Sequence, residues 1–258
     1  MKKTAVRKEE LLSALTQRGK MSIKEISERF DISLPTARRM CSQLFESGLV
    51  LRTHGGIRHL PEIKSNYSFD KLMMQNSQEK VRIAQFAATL VSDNQVIFLE
   101  SGTTIRELAI ALAERIHNKQ LSKIMVFTNS LINLKILSSV CDVVMIGGLF
   151  REERQDFIGY FSERIIRGLR FDYCFIGADA INLQDGMMAL DSDTVHFDEL
   201  LVSRSARLVV LAHSAKFSSH SLISYASIND AYMFVTDSGL PEETAKAYEN
   251  AGAKIVCV

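Results

Sequence analysis

The 258-residue chain carries 31 Lys+Arg against 30 Asp+Glu, and hydrophobic residues make up 47% of it. This balance excludes a disordered or strongly charged chain and leaves enough apolar material for two folded domains. The charge is unevenly placed, because residues 1–60 hold 12 Lys+Arg and 6 Asp+Glu, a net charge of +6, which leaves −5 for the rest. A basic first module on a mildly acidic body is typical of a protein whose first domain neutralises DNA phosphates.

The amino-terminal residues run into a charged segment without an apolar signal region, and no stretch approaches 18 apolar residues. Cys41, Cys141, Cys174 and Cys257 form no Cys-x-x-Cys pair, which indicates buried free thiols in a reducing compartment. The six histidines show no metal-ligand spacing. We therefore expect a cytoplasmic protein that uses no metal and no other cofactor.

Two short amphipathic helices are predicted before residue 31. Leu11, Leu12 and Leu15 recur at helical spacing within residues 7–18. Ser22 and Glu25 then match the capping-box pattern that starts a second helix. Three or four residues separate that helix from the next one, which is the spacing of a helix-turn-helix motif.

The third helix is the candidate DNA-recognition helix. Ser33 is a good N-cap, Pro35 suits the first turn, and apolar Leu34, Ala37, Cys41, Leu44 and Phe45 recur on one face. After Gly48, residues 49–58 predict a two-stranded wing around a Gly-Gly turn. A small helical bundle is the alternative, and the clustered cations favour DNA binding over it. The candidate DNA contacts are Ser22, Ser33, Pro35, Thr36, Arg38, Arg39, Ser42, Arg52, His54 and Arg58.

A linker and a second domain follow the winged helix of residues 1–60. Residues 61–76 lack a sustained apolar period and predict a linker, whereas residues 77–91 predict a helix. From Asn94 to the end of the chain, short apolar strands alternate with helices. Strands this uniformly apolar are covered on both faces, so residues 77–258 predict an α/β effector domain with a mainly parallel sheet.

Small polar motifs follow several of these predicted strands. Ligands of parallel sheets bind beyond the carboxyl ends of the strands, and the N–H groups of a helix that starts there can hold a phosphate. Each motif alone has a structural explanation as an N-cap, a turn or a surface charge. Their common position favours an anionic small-molecule site. Its candidate residues are Glu100, Ser101, Gly102, Thr103, Thr104, Thr128, Asn129, Ser130, Gly147, Gly148, Gly177, Asp179 and Lys216.

Both halves resemble one family. The Ser-x-x-Thr-x-Arg-Arg helix from Ser33, followed by Arg-x-His-Gly-Gly at 52–56, resembles the winged helix-turn-helix of the DeoR family of bacterial transcriptional regulators. Residues 77–258 resemble that family's effector domain, which is similar in fold to ribose-5-phosphate isomerases and CoA transferases. Met40 and His213 depart from the family pattern, since each stands where Asp is usual. The resemblance implies a phosphorylated sugar or related metabolite as effector.

These observations favour a repressor of carbohydrate-metabolism genes, with a double-stranded DNA operator and a sugar phosphate as partners. One alternative is a sugar-phosphate isomerase-like enzyme with an accessory DNA-binding domain, which needs a general base beside the sugar carbons. Asp179 is a candidate base, but its context differs from that of the isomerases that the family resembles, and Glu100 suits a hydroxyl acceptor better. We predict no catalytic residue. An architectural DNA binder without a ligand is a further alternative.

One winged helix reads only a short half-site, so we predict a homodimer or homotetramer. The helix at 77–91 and the sheet edge near Val258 are the candidate contacts between copies.

Overall fold

The structure is a computed structural model that describes residues 10–11, 14–15, 18, 20–46, 50–53, 55–59 and 67–258; only the backbone is described at residues 46, 51–53, 58 and 59. The chain divides into two compact units, Met1–Lys64 and Ser65–Val258. No helix among the described residues has both the length and the apolar character needed to cross a membrane.

Among the described residues of the first unit, two continuous helices accompany a small antiparallel sheet. In the sheet, β3 lies between β1 and β2. The elements are β1 (Lys20–Ser22), α1 (Ile23–Arg29), α2 (Leu34–Glu46), β2 (Val50–Thr53) and β3 (Gly56–His59). The predicted helix-turn-helix and wing are therefore present, and β1 adds a third strand that the sequence pattern did not predict.

The start of α1 follows from a reciprocal cap. Ser22 Oγ accepts a hydrogen bond from the Glu25 N–H at 3.2 Å, and the Glu25 carboxylate accepts one from the Ser22 N–H at 2.6 Å. Leu11, Leu15 and Ile26 are fully buried in the core of this unit. The predicted residue Leu12 lies outside the described residues, as does Gly48.

The buried face of α2 differs from the predicted one. Leu34 and Phe45 were expected to face inward, but they are 48% and 42% exposed. Met40 is buried instead and packs with Ala37, Cys41 and Leu44 in the core. The spacing Ala37, Met40, Cys41, Leu44 is the i, i+3, i+4, i+7 stripe of an amphipathic helix. Met40 thus supplies apolar packing at a position where the family usually carries a carboxylate.

The second unit combines seven helices with twelve strands among the described residues. Its helices are α3 (Phe69–Met74), α4 (Ser77–Thr89), α5 (Thr103–His117), α6 (Leu131–Leu137), α7 (Tyr160–Ile166), α8 (Ser192–Arg204) and α9 (Glu242–Asn250). Its strands are β4 (Val96–Leu99), β5 (Met125–Thr128), β6 (Asp142–Met145), β7 (Leu149–Arg151), β8 (Asp156–Ile158), β9 (Tyr173–Ile176), β10 (Ala180–Asn182), β11 (Gly186–Ala189), β12 (Leu208–Leu211), β13 (Ile223–Ala226), β14 (Met233–Thr236) and β15 (Ile255–Cys257).

Seven of these strands form a parallel sheet in the order β15-β14-β12-β9-β4-β5-β6. Successive residues of a strand point to opposite faces, so each central strand contributes to two cores. Phe98, Cys174, Val210 and Phe234 lie in the core that includes α8, and Ile97, Phe175, Leu211 and Val235 lie in the core that includes α4 and α5. The predicted α/β fold with a mainly parallel sheet is confirmed.

Three features of this unit were not predicted. Strands β10, β11 and β13 form a separate antiparallel sheet, and β7 pairs with β8 in a hairpin. The expected linker at 61–76 contains α3, whose Phe69 is buried, so this part of the expected linker is folded. Residues 61–66 lie outside the described residues. Cys41 and Cys174 are buried as expected, whereas Cys257 is exposed on the edge strand β15.

Candidate functional site

The first candidate site is the amino-terminal half of α2. Ser33 caps this helix: its Oγ lies 2.8 Å from Thr36 Oγ1 and 3.4 Å from the Thr36 nitrogen. Pro35, Arg38 and Arg39 are exposed. Because the first turn of a helix leaves N–H groups unpaired, this end combines backbone donors with two guanidinium groups. Such an end can contact phosphates and base edges in a DNA groove.

The other candidate DNA contacts fall on the helix-turn-helix and the wing. Ser22 is the N-cap of α1, and Ser42 is partly buried on α2. Arg52 lies on β2 and Arg58 on β3, where only the backbone is described. His54 lies outside the described residues. The hairpin turns at Gly55, whose φ of 88° favours glycine.

The second candidate site is a cavity, open to solvent, at the carboxyl ends of three adjacent strands. The segment after β4 contributes Glu100 to Thr104, the segment after β9 contributes Gly177 to Asp179, and the segment after β12 contributes His213 and Lys216. These strands are neighbours in the order β12-β9-β4 at the centre of the sheet. The cavity therefore lies at the edge where ligands of parallel sheets bind.

One side of the cavity is cationic. Lys80 on α4 is 4% exposed and its Nζ donates to the Leu72 carbonyl, while Lys216 ends a short 3-10 turn and is partly exposed. Burial, together with the charges of Lys216 and Lys80, lowers the pKa of His213 to about 4. Burial and then the charge of Lys216 lower the pKa of Lys80. Two ammonium groups beside a partly buried imidazole therefore favour an anion here.

The amino terminus of α5 faces the same cavity. Gly102 precedes the helix with φ of 136°, a conformation that favours glycine, and Thr103 and Thr104 form the first turn. The first N–H groups of a helix have no partner within the helix, and the helix dipole adds partial positive charge there. With Lys80 and Lys216, this terminus makes an anion-binding side of the kind that holds phosphates.

The cavity is also lined by carboxyl groups, among them Glu100, whose Oε2 would lie 3.9 Å from a Cβ at Gly102 before α5. Glu100 accepts a hydrogen bond from the Gly177 N–H at 3.1 Å, and burial raises the pKa of Glu100 to about 7 despite that bond. Asp198 on α8 is 3% exposed, and its Oδ1 has no hydrogen-bond partner among the described residues. Burial, followed by the charge of Glu100, raises the pKa of Asp198 well above its usual range. These carboxyl groups are suited to contact hydroxyl groups.

Two arginines of the β7–β8 hairpin pair with aspartates at or near the cavity. Arg151 donates to both oxygens of the buried Asp156, at 2.8 and 2.7 Å, and Ser101 Oγ donates to the same carboxylate at 2.7 Å. Arg154 lines the cavity, stacks over the Tyr67 ring at 4.1 Å and has its Nη2 3.7 Å from Asp179 Oδ2. That nitrogen also lies 3.0 Å from an Asp191 oxygen without the alignment of a hydrogen bond. Arg154 therefore retains donor capacity toward a ligand.

Eight of the thirteen candidate effector residues line the cavity: Glu100, Ser101, Gly102, Thr103, Thr104, Gly177, Asp179 and Lys216. The other five do not line it: Thr128 ends β5, Asn129 and Ser130 follow β5, and Gly147 and Gly148 follow β6.

The reason is that the β7–β8 hairpin covers the end of β5. The Phe157 N–H donates to the Asn129 carbonyl at 2.9 Å. Thr128 Oγ1 donates to the Leu99 carbonyl at 2.6 Å, and Ser130 Oγ accepts from the Asn133 N–H as the N-cap of α6. Gly147 and Gly148 pack against Ser162, whose Oγ donates to the Gly147 carbonyl at 2.9 Å. These residues thus have structural roles in a cap and in turns, as the sequence analysis allowed for each motif taken alone.

The cavity also contains residues that the sequence analysis missed. They come from segments that no motif marked: α3 and its flanks, α4, the β7–β8 turn and α8. They are Tyr67, Gln75, Lys80, Arg154, Thr194 and Asp198. The sequence did contain a signal for two of them, because Lys80 and Asp198 are charged residues on otherwise apolar helix faces. Among the described residues, no group of three or more His, Cys, Asp or Glu is placed to hold a metal ion.

Comparisons with known proteins cover both units. A model of the DeoR-like helix-turn-helix domain matches residues 7–62, and a model of the DeoR C terminal sensor domain matches residues 75–238. The HTH-type transcriptional regulator GlpR of Haloferax volcanii is 26% identical over 253 residues, 98% of this chain and 97% of that protein. The lactose phosphotransferase system repressor of Lactococcus lactis subsp. lactis is 34% identical over 215 residues, 82% of each chain.

Among solved structures, ribose 5-phosphate isomerase A of Methanocaldococcus jannaschii superposes on 55% of each chain with a TM-score of 0.41 and 18% identity.

Proposed function

Because the chain belongs to the DeoR family of transcriptional regulators, we propose that it represses carbohydrate-metabolism genes and that a phosphorylated sugar controls its affinity for operator DNA. The observation that carries this proposal is the cavity at the ends of β4, β9 and β12, which is lined by lysines, a helix amino terminus and carboxyl groups. The name of the Lactococcus relative, a lactose phosphotransferase system repressor, supports sugar metabolism as the regulated process.

The division of labour follows the two units. Residues 1–60 would contact the operator, with α2 in the major groove and the wing beside it, because this segment carries the net charge of +6. Residues 77–258 would sense the effector, and the sensor-domain model supports this by matching residues 75–238. Operator binding requires access to DNA, so we propose that the protein acts in the cytoplasm.

The cavity suits a small ligand with one phosphate and several hydroxyl groups. The phosphate would lie at the amino terminus of α5 between Lys80 and Lys216, where backbone donors and two ammonium groups converge. The hydroxyl groups would lie against Glu100, Asp198 and Arg154. Burial raises the pKa of Asp198 and so favours its protonated form, which can both donate to and accept from a hydroxyl.

A regulator is favoured over the isomerase considered from the sequence, because the family and the names of the relatives indicate transcriptional control. Asp179 accepts a hydrogen bond from the Leu190 N–H at 2.9 Å and lies near Arg154, an arrangement that holds the carboxylate in place.

The proposal is tested by calorimetric titration of the purified chain with a panel of aldose and ketose phosphates, each paired with its unphosphorylated sugar. We expect at least one phosphorylated sugar to bind and its free counterpart not to bind at the same concentration. Turnover of the bound sugar phosphate without any effect on operator binding would overturn the proposal, as would the absence of binding by every phosphate in a broad panel.

A further inference from the structure

Exposed apolar side chains concentrate in one short segment of the second unit. Of fourteen large apolar residues that are exposed in the described part of the chain, five lie between residues 149 and 165. Their exposed fractions range from 40% to 70%. We call them the 149–165 patch: Leu149, Phe150, Tyr160, Phe161 and Ile165. Single exposed apolar residues are ordinary, whereas a cluster of this kind marks an interaction site.

The patch is built on two elements that pack directly together. A Cβ at Gly148 would lie 2.2 Å from Ser162 Oγ, so the start of β7 touches the start of α7 and leaves no room for a side chain. Leu149 and Phe150 follow that contact along the hairpin. Phe161 and Ile165 are four residues apart on α7 and share one face of the helix.

The patch is also held in a fixed shape. The rings of Tyr160 and Phe161 are 5.6 Å apart, edge to face, and Phe150 packs on Phe157 at 5.1 Å. On the inner side of α7, Ser162 and Ile166 are buried. A preformed aromatic surface loses little conformational entropy on binding, which is the property that makes aromatic residues effective in interfaces.

The size of the patch fits a protein partner. Leu149 and Phe150 are consecutive on β7 and point to opposite faces of the hairpin. With about 200 Å² for each large side chain, the exposed fractions on one side of the patch therefore add up to roughly 500 Å² of mainly apolar surface. A stable interface needs about 800 Å² from each partner, with an apolar centre and a polar rim. The patch therefore supplies more than half of one side of such an interface.

We propose that the 149–165 patch is the two-fold interface through which a second copy of this chain docks. A second copy is the occupant because a winged-helix regulator reads two half-sites and needs two subunits to do so. A two-fold axis brings the same patch from both subunits together, so one aromatic cluster covers the other. This rests on the proposed function as a DNA-binding regulator.

The two contacts expected from the sequence are weaker candidates. Helix α4 buries Ile83, Ala84 and Ala87 against the sheet and exposes only Val81 among its large apolar residues, at 38%. The edge strand β15 has three residues, which offers a short edge for pairing. Neither surface approaches the apolar area of the 149–165 patch.

The test is sedimentation of the full chain across a wide range of protein concentration, for the wild type and for the double variant Tyr160→Ser/Phe161→Ser. We expect the wild type to be a dimer or a larger even assembly and the variant to dissociate with a dimer Kd raised at least about 100-fold, because each subunit loses two central aromatic side chains. Leu222→Ser is the matched control, since Leu222 is 52% exposed outside the patch. That control should sediment like the wild type.

A monomeric wild type would overturn the proposal and assign the patch to a different partner. A double variant that stays as dimeric as the wild type would also overturn it. If circular dichroism shows that the double variant does not fold, sedimentation of Leu149→Ser replaces it, and this variant should also form a weaker dimer than the wild type. Sugar-phosphate binding is measured on the same samples: a dimer that binds no sugar phosphate contradicts the proposed effector and leaves the interface standing.

Discussion

Replacing Lys216 with Ala isolates the anion-binding role of the cavity. Lys216 lies on a short 3-10 turn after β12, and its ammonium group is partly exposed at the cavity. Its removal should therefore cost little folding energy. The buried Lys80 is a poorer target, because its Nζ donates to the Leu72 carbonyl inside the structure.

The expected magnitude follows from the hydrogen bond between a charged donor and a phosphate. Such bonds contribute roughly 1.5–3 kcal/mol, which corresponds to about 10- to 150-fold in Kd. Because Lys216 is partly exposed, solvent screening places the expected loss toward the lower end, about 10-fold. Removing Lys216 also removes one of the causes that hold the pKa of His213 at about 4, so that pKa should rise toward its usual value.

The assay combines calorimetric titration with sugar phosphates and a histidine titration of the free protein by NMR. Lys246→Ala is the control, since Lys246 lies on α9, 64% exposed and paired with Glu242. The control should bind sugar phosphate like the wild type and leave the pKa of His213 unchanged. Unchanged effector affinity in Lys216→Ala, together with a shifted His213 pKa, would refute the placement of the phosphate while leaving the electrostatics of the cavity intact.

Three further predictions concern the operator, the effector and stability. If Arg39 reads a base, Arg39→Ala should weaken operator binding by about 1–3 kcal/mol and reduce specificity at one base position. If Arg39 contacts a phosphate, the variant should lose affinity equally for all DNA sequences, and its affinity should depend less steeply on salt. Unchanged affinity and salt dependence would remove Arg39 from the interface. Thr103→Glu should spare operator binding and abolish the response to sugar phosphate in anisotropy titrations, because a carboxylate would occupy the donors at the start of α5; a normal response contradicts this. Burial raises the folded-state pKa of Glu100 from 4.5 to about 7, so its stabilising contribution is present below pH 4.5 and is lost as pH rises through 7. Relative to Glu100→Gln, the free energy of unfolding of the wild type should fall by about 3 kcal/mol over that range in denaturant titrations, and parallel curves would contradict the raised pKa.

The parallel sheet was predictable from sequence because its strands are apolar on both faces. Runs such as 94–100 and 207–212 can only be covered by helices on both sides, and the structure shows this. The helix-turn-helix was predictable from caps, since the Ser22 and Glu25 pattern fixes where α1 begins.

The cavity was only partly predictable, because strand-end motifs do not show which strand ends remain open. The motifs at Thr128 and Gly147 have the same form as the one at Glu100, but the β7–β8 hairpin covers the end of β5. That hairpin comes from a later segment, and backbone hydrogen bonds from Phe157 to Asn129 and from Leu131 to Gln155 hold it there. Lys80 and Asp198 reach the cavity from helices, and their position depends on tertiary packing that periodicity does not encode.

The inward face of α2 shows the same limit on a smaller scale. The apolar residues of α2 fit two overlapping stripes, one that includes Leu34 and Phe45 and one that includes Met40. In the structure, Met40 packs in the core beside Ala37 and Leu44. Helical spacing alone cannot choose between stripes that differ by a fraction of a turn.

We propose that a phosphorylated sugar bound at the ends of β4, β9 and β12 changes operator binding. A ligand shifts the operator equilibrium only through its different affinity for the two protein states, so the response must depend on the cavity. The direct measurement is fluorescence anisotropy of labelled operator DNA, titrated with sugar phosphates, for the wild type, Lys216→Ala and Lys246→Ala. We expect the sugar-phosphate concentration that gives half of the maximal change in operator binding to rise about 10-fold in Lys216→Ala. In Lys246→Ala it should equal that of the wild type. If the wild type binds a sugar phosphate and its affinity for operator DNA does not change with any of them, the proposed control of operator binding is contradicted.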